Sequence, residues 1–235
     1  MPQLDPLAAL SSISCLRPLS PSTLEEMATA TRLRSFQPRE QLWAAGDPIP
    51  GIFFPLSGLV RVYHDENPAQ STPVVTTWPG EIIVMNSQTH HEWTTYGVAV
   101  TSVTQVTVPF QAFADACRQN ASQTHQVLNA LVSDYSRRIS WETDLRLVPL
   151  TQRLLLLFAR MAAELGTPTA AGILLDFPLT CEIVAALTWV KRDHTGRMLN
   201  DLVHEGYLVK QPRFRWLIPD CKRLGELPLY LTERH

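Results

Sequence analysis

Residues 179–208 contain two apolar stripes at helical spacing, and they constrain the fold more than any other segment. The stripes share steps of one, three or four residues: Ile183, Val184 and Leu187, then Met198, Leu199 and Leu202. Positions three and four residues apart lie on one face of a helix. Ala185 is small, as a residue must be where two helices touch. This pattern predicts two packed helices joined by a tight turn, a helix-turn-helix.

The start of the predicted second helix is rich in charge. It contains Lys191, Arg192, Asp193 and His194, with Arg197 one turn later. Positions 192, 193, 196 and 197 share one face of the helix. Because Gly196 has no side chain, this face can approach a groove of DNA closely. Arg pairs with guanine through two hydrogen bonds, and a carboxylate accepts from the amino group of cytosine. These residues therefore predict a surface that reads base pairs.

The segment VKRDHTGRMLNDL resembles the recognition helix of the CRP/FNR family of bacterial transcription regulators, whose pattern is roughly S-R-[EQ]-T-[VT]-[GS]-R-x-L-x-x-L. The matching positions are Arg192, Asp193, Gly196, Arg197, Leu199 and Leu202. The resemblance implies that Arg192 reads guanine, that Asp193 accepts from cytosine and that Arg197 contacts a base or a phosphate. It also implies backbone-positioning roles for Lys191, His194, Arg213 and Arg215. The implied target is a palindrome with TGTGA-like half-sites.

Three residues depart from that pattern. Asp193 is one methylene shorter than the usual Glu, Lys191 replaces a small hydroxyl residue, and Trp189 stands at the turn where Gly is usual. A left-handed backbone is costly for a residue as bulky as Trp. We therefore expect either a different turn or a Trp189 side chain that packs on the other helix.

Short β-rich runs punctuated by Gly and Pro occupy residues 36–113. Their alternation predicts an antiparallel sandwich or roll. Residues 53–63 resemble the Y-x-x-x-x-G-x-V-x-V hairpin of the family's cyclic-nucleotide-binding-like domain, and residues 79–83 resemble its x-G-[DE]-x-[IF] turn. The expected fold class is α+β: an N-terminal antiparallel, jelly-roll-like β-roll, a long dimerisation helix and a C-terminal winged helix-turn-helix.

A long helical stretch is predicted at about 110–147. Leu128, Leu131, Tyr135 and Ile139 recur at three- and four-residue steps, the spacing of a two-stranded seam. One helix packing on its own roll is the alternative. The CRP/FNR family pairs through this helix, and a two-fold protein suits palindromic DNA, so we expect a homodimer.

Pro149 interrupts the helical pattern and predicts a domain boundary. The expected domains are 1–115, a sensor-like β-roll; 116–148, the dimerisation helix; and 149–235, the winged helix-turn-helix. The apolar stretch 150–165 should form the core of the last domain. The alternating run 207–220 reads as a β-wing, from which Arg213 and Arg215 would reach phosphates.

Charge is distributed unevenly along the chain. The formal net charge is −2, but residues 177–223 hold eight cations and five anions, giving +3 there and −5 elsewhere. This asymmetry suits one DNA-facing module on an acidic body. No apolar run is long enough to span a membrane, and no basic residue precedes the short apolar N-terminal part. We therefore expect a cytoplasmic protein without a membrane partner.

The four cysteines are isolated in sequence. Cys15, Cys117, Cys181 and Cys221 form no C-x-x-C pair, so neither a zinc ribbon nor an iron–sulfur cluster has its usual spacing. Buried thiols are the expected outcome. The sequence predicts neither a metal site nor a cofactor.

The cyclic-nucleotide signature of the family is missing. In nucleotide-binding members a Glu contacts the ribose, and an Arg-Ser pair holds the cyclic phosphate. The Glu position falls on Met85 here, the phosphate positions fall among Thr94, Thr95 and Tyr96, and residues 62–117 contain no Arg. A buried phosphate without a cation loses its strongest interaction. We therefore do not expect control by cyclic AMP in the usual manner.

His90, His91 and Glu92 raise an alternative, a haem- or metal-binding gas or redox sensor. Pro2 also resembles the N-terminal proline that ligates iron in one haem branch of the family. The Cys and His ligands of that branch would fall near Val84 and Asn86, so the correspondence fails. Consecutive strand residues also point to opposite faces, which favours an exposed loop over joint ligation.

A cupin-like metal enzyme is a second alternative, but the His-x-His spacing it needs is missing. Neither a phosphate-binding Gly-rich loop nor a nucleophile elbow is found. We therefore expect no catalytic residues and no enzyme activity. The expected partners are double-stranded DNA and a second copy of the chain, with RNA polymerase and an unidentified small-molecule effector as further candidates.

Overall fold

The computed structural model describes residues 5–65, 75–83 and 92–225. Contacts between residues group the chain into two compact units, residues 1–137 and 138–235. Within the described ranges, none of the helices has both the length and the apolar character needed to cross a membrane.

The first unit is a β-structure flanked by helices. In chain order its elements are α1 (Pro6–Ser12), α2 (Pro21–Ala30), β1 (Arg32–Phe36), β2 (Gln41–Trp43), β3 (Gly51–Ser57), β4 (Val60–Tyr63), β5 (Val75–Thr77), β6 (Tyr96–Ala99), β7 (Val103–Pro109), α3 (Phe110–Gln119) and the start of α4 (Ala121–Leu147).

The strands form two antiparallel sheets, one in the order β1-β7-β3 and the other in the order β2-β6-β4-β5. Apolar side chains from both sheets meet in one buried cluster: Phe36, Phe53 and Val103 from the first, and Trp43, Val60, Val62 and Ala99 from the second. The two sheets therefore pack face to face. The antiparallel β-roll predicted from the sequence is confirmed.

Aromatic rings fill the centre of this roll. The rings of Trp43 and Trp93 stack with centroids 4.3 Å apart, and Phe53 lies 5.3 Å from Trp93. Gly97 of β6 faces Trp43, and a Cβ atom at position 97 would lie 2.5 Å from the indole ring. The absence of a side chain at Gly97 thus makes room for Trp43.

Helices cover the opposite face of the first sheet. Ile52 and Phe54 of β3 and Val106 and Val108 of β7 point away from the roll interior into a second cluster. This cluster includes buried residues of α1, α2 and α3, together with Val127 of α4. The N-terminal helices are therefore part of the core of this unit.

The helical stretch predicted as continuous at 110–147 is interrupted at Asn120. The backbone of Asn120 is extended, which ends α3. Its side-chain oxygen accepts from the backbone N–H groups of Ser122 and Gln123 at 3.0 and 3.1 Å. Such a cap begins a new helix, and α4 then runs through the boundary between the two units.

The second unit contains the remaining helices and a small sheet. After the end of α4 its elements are α5 (Leu150–Leu165), β8 (Thr167–Thr169), β9 (Gly172–Leu175), α6 (Cys181–Thr188), α7 (Arg192–His204), β10 (Val209–Gln211), β11 (Arg215–Ile218) and α8 (Cys221–Gly225). The strands pair antiparallel in the order β10-β11-β9-β8. The winged helix-turn-helix expected here is confirmed.

The apolar helix α5 forms the core of the second unit, as its sequence predicts. Leu154, Phe158 and Met161 are fully buried. The ring of Phe158 meets Trp216 of β11 edge-on with centroids 5.8 Å apart. Aromatic pairs prefer this geometry, and the contact ties the wing sheet to α5.

Candidate nucleic-acid interface

The first helix of the motif, α6, buries its apolar face as the sequence predicts, and its N-terminus is capped. The hydroxyl of Thr180 accepts from the backbone N–H of Ile183 at 3.3 Å, which satisfies a donor at the start of the helix. Val184, Ala185 and Leu187 are buried. α6 therefore packs by its apolar face and supports the second helix.

The turn between the helices adopts the left-handed conformation at Trp189, with φ 53° and ψ 38°. The backbone of Trp189 thus has the conformation that Gly usually adopts at this position of the turn, despite the bulky side chain. The guanidinium carbon of Arg146, in the last turn of α4, lies 4.4 Å from the centroid of the Trp189 ring.

The predicted base-reading residues lie on the exposed face of α7. The exposed side chains are Lys191, Arg192, Asp193, His194 and Arg197. Thr195, Leu199 and Leu202 are buried on the opposite face. The start of α7 thus presents cations and one carboxylate together, and a role in contacting DNA stays a prediction for these residues.

Gly196 lies at the edge of this face. A Cβ atom at position 196 would point toward α6 and lie 3.5 Å from Sγ of Cys181, an ordinary van der Waals contact. The residue is half-buried. Gly196 therefore lies where α7 packs against α6, and it is also the residue that we predicted to let the helix approach a groove closely.

Arg192 is paired with a residue that the sequence analysis did not select. Its Nε lies 3.3 Å from Oε1 of Glu182, in the first turn of α6. The two residues are ten positions apart, so no helical spacing connects them. Only the folded motif brings this carboxylate to the surface that we predicted to read bases.

Lys210 of β10 also belongs to this region. Burial raises the pKa of the Cys181 thiol; the charges of Arg192 and Lys210 act to lower it, and those of Glu182 and Asp193 act to raise it. Lys210 is therefore close enough to Cys181 for its charge to act on the thiol. The sequence counted Lys210 only among the eight cations of residues 177–223.

The wing turn holds Arg213 in an unusual conformation. Arg213 and Phe214 both have positive φ, 60° and 59°, between β10 and β11. The carbonyl of Phe214 accepts from the N–H of Leu179 at 2.8 Å, just before α6. Both side chains are exposed. This anchored turn presents Arg213 to solvent, as expected for a phosphate contact.

Arg215 differs from Arg213. Its Nη1 lies 2.9 Å from Oδ1 of Asp176, and its side chain is 38% exposed. An arginine engaged by a carboxylate of its own chain is less available to a phosphate. We therefore expect Arg213 to contribute more than Arg215 to the predicted phosphate contacts.

The predicted seam of α4 is largely exposed. Leu128, Tyr135 and Ile139 are 53%, 61% and 43% exposed, and so is Val132 at 64%. Leu131 is half-buried and packs against the core of its own unit. The exposed apolar face of α4 is therefore formed by Leu128, Val132, Tyr135 and Ile139, with alternating steps of four and three residues, and we call it the α4 stripe.

The residues weighed for ligand binding in the first unit are only partly placed. Met85, His90 and His91 lie outside the described residues. Thr95 is fully buried, and its hydroxyl lies 3.4 Å from the indole nitrogen of Trp43. Glu92 is exposed and forms an isolated β-bridge with Pro48. In the parts of the chain that the structure describes, no three potential metal ligands come together.

Comparison with protein families identifies a domain in the first unit. A family model described as cyclic nucleotide-binding domain matches residues 33–120. No curated protein sequence matches the chain.

Solved structures share the fold along most of the chain. The CRP family transcriptional regulator TTHB099 from Thermus thermophilus is 20% identical, with TM-score 0.63, and the match covers 82% of this chain and 94% of that one. FixK2 from Bradyrhizobium japonicum is 14% identical, with TM-score 0.63 and coverage of 84% and 96%. The c-di-GMP responsive global regulator CLP of Xanthomonas campestris is 16% identical, with TM-score 0.62 and coverage of 86% and 100%.

These matches agree with the resemblance seen in α7 and extend it to most of the chain. Residues 33–120 thus match the cyclic nucleotide-binding domain family, and the chain has the fold seen in solved structures of CRP/FNR family transcription regulators.

Proposed function

We propose that this protein is a sequence-specific, DNA-binding transcription regulator of the CRP/FNR type. The observation that carries the proposal is the exposed start of α7, where Lys191, Arg192, Asp193, His194 and Arg197 project from a helix whose other face is buried. A helix of this kind, supported by a second helix, fits the major groove with its N-terminal residues toward the bases. A merely solvated face would not need this density of donors beside one acceptor.

Each side chain has a role that its chemistry permits. Arg192 donates to guanine, and Asp193 accepts from the cytosine amino group. Arg197 contacts a base or a phosphate, while Lys191, His194 and Arg213 contact the DNA backbone. Lys210, which is exposed and close enough to Cys181 for its charge to act on the thiol, is a further candidate for a backbone contact. Because Asp193 is shorter than the family's Glu, we expect the half-site to depart from TGTGA at the base pair it faces.

The α4 stripe supports a homodimer. Its exposed positions follow the alternating steps of four and three residues that place side chains on one seam between two helices. A two-fold pair of copies would contribute two α7 helices, one for each half-site, and the half-sites of such proteins lie about 34 Å apart, one turn of the double helix. The proposed target is accordingly a palindrome.

The proposed regulator is not controlled by cyclic AMP in the usual manner. Residues 62–117 contain no Arg to meet a cyclic phosphate. Thr95, one of the positions considered for that contact, is buried beside Trp43. A haem- or metal-binding sensor receives no support from the described residues. An unidentified small-molecule effector and RNA polymerase remain proposed partners, and the cytoplasm is the proposed location.

Selection of bound sequences from a random DNA library tests the function. The purified protein, without added ligand, should enrich a palindrome that contains guanine at matching positions of both half-sites. Arg192→Ala should lose about 1–3 kcal/mol on that site and relax its guanine preference. Arg118→Ala, which removes an exposed cation from the first unit, is the matched control and should bind like the parent.

The outcomes separate the parts of the proposal. Salt-sensitive binding without an enriched sequence would indicate that an effector is required. Equal binding of Arg192→Ala and the parent to the selected site would refute the assignment of Arg192. A protein that binds no DNA under any condition would refute the function itself.

A further inference from the structure

Two arginines connect the end of α4 to the turn of the helix-turn-helix. The side chain of Arg146, in the last turn of α4, covers the ring of Trp189 with its guanidinium carbon 4.4 Å from the centroid. A cation above an indole face is attracted by the ring's quadrupole. Both residues belong to the second unit, so this contact lies within one body of the structure.

Arg153 of α5 joins the same two segments through their backbones. Its Nη1 donates to the carbonyl of Thr188 at 2.7 Å, and its Nη2 donates to the carbonyls of Arg146 and Val148 at 3.0 and 3.2 Å. Carbonyls at a helix end have no partner within the helix. One planar guanidinium therefore donates to carbonyl groups at the ends of both α4 and α6, and it fixes the distance between these two helix ends.

Trp189 is held in a conformation that a bulky residue disfavours. Its φ of 53° and ψ of 38° lie in the left-handed region, where Gly is the usual residue. The ring is 38% exposed, so burial alone does not hold it. Arg146 contacts the ring of this strained residue, and Arg153 holds the carbonyl of Thr188 just before it. α7 begins three positions after Trp189, at Arg192.

We propose that Arg146, Arg153 and Trp189 are positioning residues that couple the C-terminal end of α4 to the start of α7. When the last turn of α4 is intact, Arg146 covers Trp189, and Arg153 holds Thr188. When that turn shifts or unwinds, Arg153 loses two acceptors and Trp189 is free to leave the left-handed conformation. The inference rests on the proposed function, because it predicts that loss of these contacts lowers the affinity for DNA.

A double-mutant cycle tests the coupling in the full-length protein. Arg146→Ala should weaken binding to the selected palindrome by about three- to tenfold, as expected from loss of a partly exposed cation–π contact. In a Trp189→Gly background, which removes both the ring and the strain, Arg146→Ala should have no effect. Arg146→Lys, which keeps the cation, should recover part of the affinity.

The chain offers a matched control pair. Arg160 of α5 lies over the ring of Trp141 of α4, with its guanidinium carbon 5.2 Å from the centroid, and it pairs with Glu164 one turn along α5. Arg160→Ala should leave DNA affinity unchanged. An equal loss for Arg146→Ala in both backgrounds would show that Arg146 acts on DNA directly, and this result would overturn the coupling.

Hydrogen exchange measured without DNA separates this inference from the proposed function. Arg146→Ala should speed exchange of the backbone amides of residues 189–197, while Arg160→Ala should not, and thermal unfolding should show both variants folded. If the parent binds no DNA, the proposed function fails, and the exchange data alone decide the coupling. Unchanged exchange in Arg146→Ala would overturn it.

Discussion

Nε of Arg192 lies 3.3 Å from Oε1 of Glu182, so the side chain proposed to read guanine is paired with a carboxylate of its own protein. The side chains are 68% and 67% exposed. An ion pair this open to water is weak. If Arg192 binds guanine as proposed, the base would displace Glu182, and the two acceptors would compete for the same guanidinium.

Replacing the carboxylate should strengthen DNA binding. Glu182→Gln keeps the shape of the side chain but removes a negative charge from the proposed interface and frees Arg192. We expect affinity for the selected site to rise by about two- to fivefold, the size of an exposed ion pair. Fluorescence anisotropy with labelled DNA would measure it. Weaker binding by Glu182→Gln would instead show that the carboxylate orients Arg192 or contacts a base.

Removing the wing cation should weaken binding to all sequences alike. We expect Arg213→Ala to lower affinity for selected and random DNA by the same factor and to reduce the slope of log K against log salt by about 1. Because Arg213 has a positive φ, Arg213→Gly removes the charge without backbone strain and should give the same result. Arg215→Ala should change the slope less, since Arg215 pairs with Asp176. Loss confined to one sequence would contradict a phosphate contact.

A charge on the α4 stripe should separate the proposed dimer. Val132→Asp buries a carboxylate in any seam formed by the stripe, so we expect a monomer by light scattering and weakened binding to the palindrome. Ser133→Asp, on a neighbouring exposed face of the helix, is the control and should remain dimeric. A dimeric Val132→Asp would place the subunit interface elsewhere.

The sequence predicted the elements of the helix-turn-helix because their apolar periodicity is local. The buried residues Val184, Leu187, Leu199 and Leu202 were all expected from spacing alone. The β-roll followed from alternation and turn residues in the same way. Both signals depend on residues close together in the chain.

What the sequence missed depends on contacts between distant elements. Leu131 has the spacing of a seam residue, yet it packs on its own unit, while Val132 is exposed. These two residues are adjacent in the sequence, and only the orientation of α4 on its own unit decides which of them is buried. Glu182 likewise reaches Arg192 through the packing of α6 on α7. The position of Arg146 over Trp189 depends on where α4 ends.

Gly97 offers a test of the roll interior that is independent of DNA. A Cβ atom there would lie 2.5 Å from ring atoms of Trp43, which stacks on Trp93 and cannot withdraw without breaking that stack. Gly97→Ala should therefore destabilise the protein by about 1–3 kcal/mol, the usual cost of overpacking a core. Chemical denaturation would measure the free energy of unfolding.

Two further variants decide whether the clash is the cause. Gly196→Ala meets only Sγ of Cys181 at 3.5 Å, and in a helix this change should be neutral or stabilising, by up to about 1 kcal/mol. Trp43→Leu in the Gly97→Ala background removes the ring that clashes, so the cost of the alanine should fall well below its value in the parent. If Gly97→Ala costs the same with and without the Trp43 ring, the loss comes from the backbone of β6 and not from the packing of these two residues.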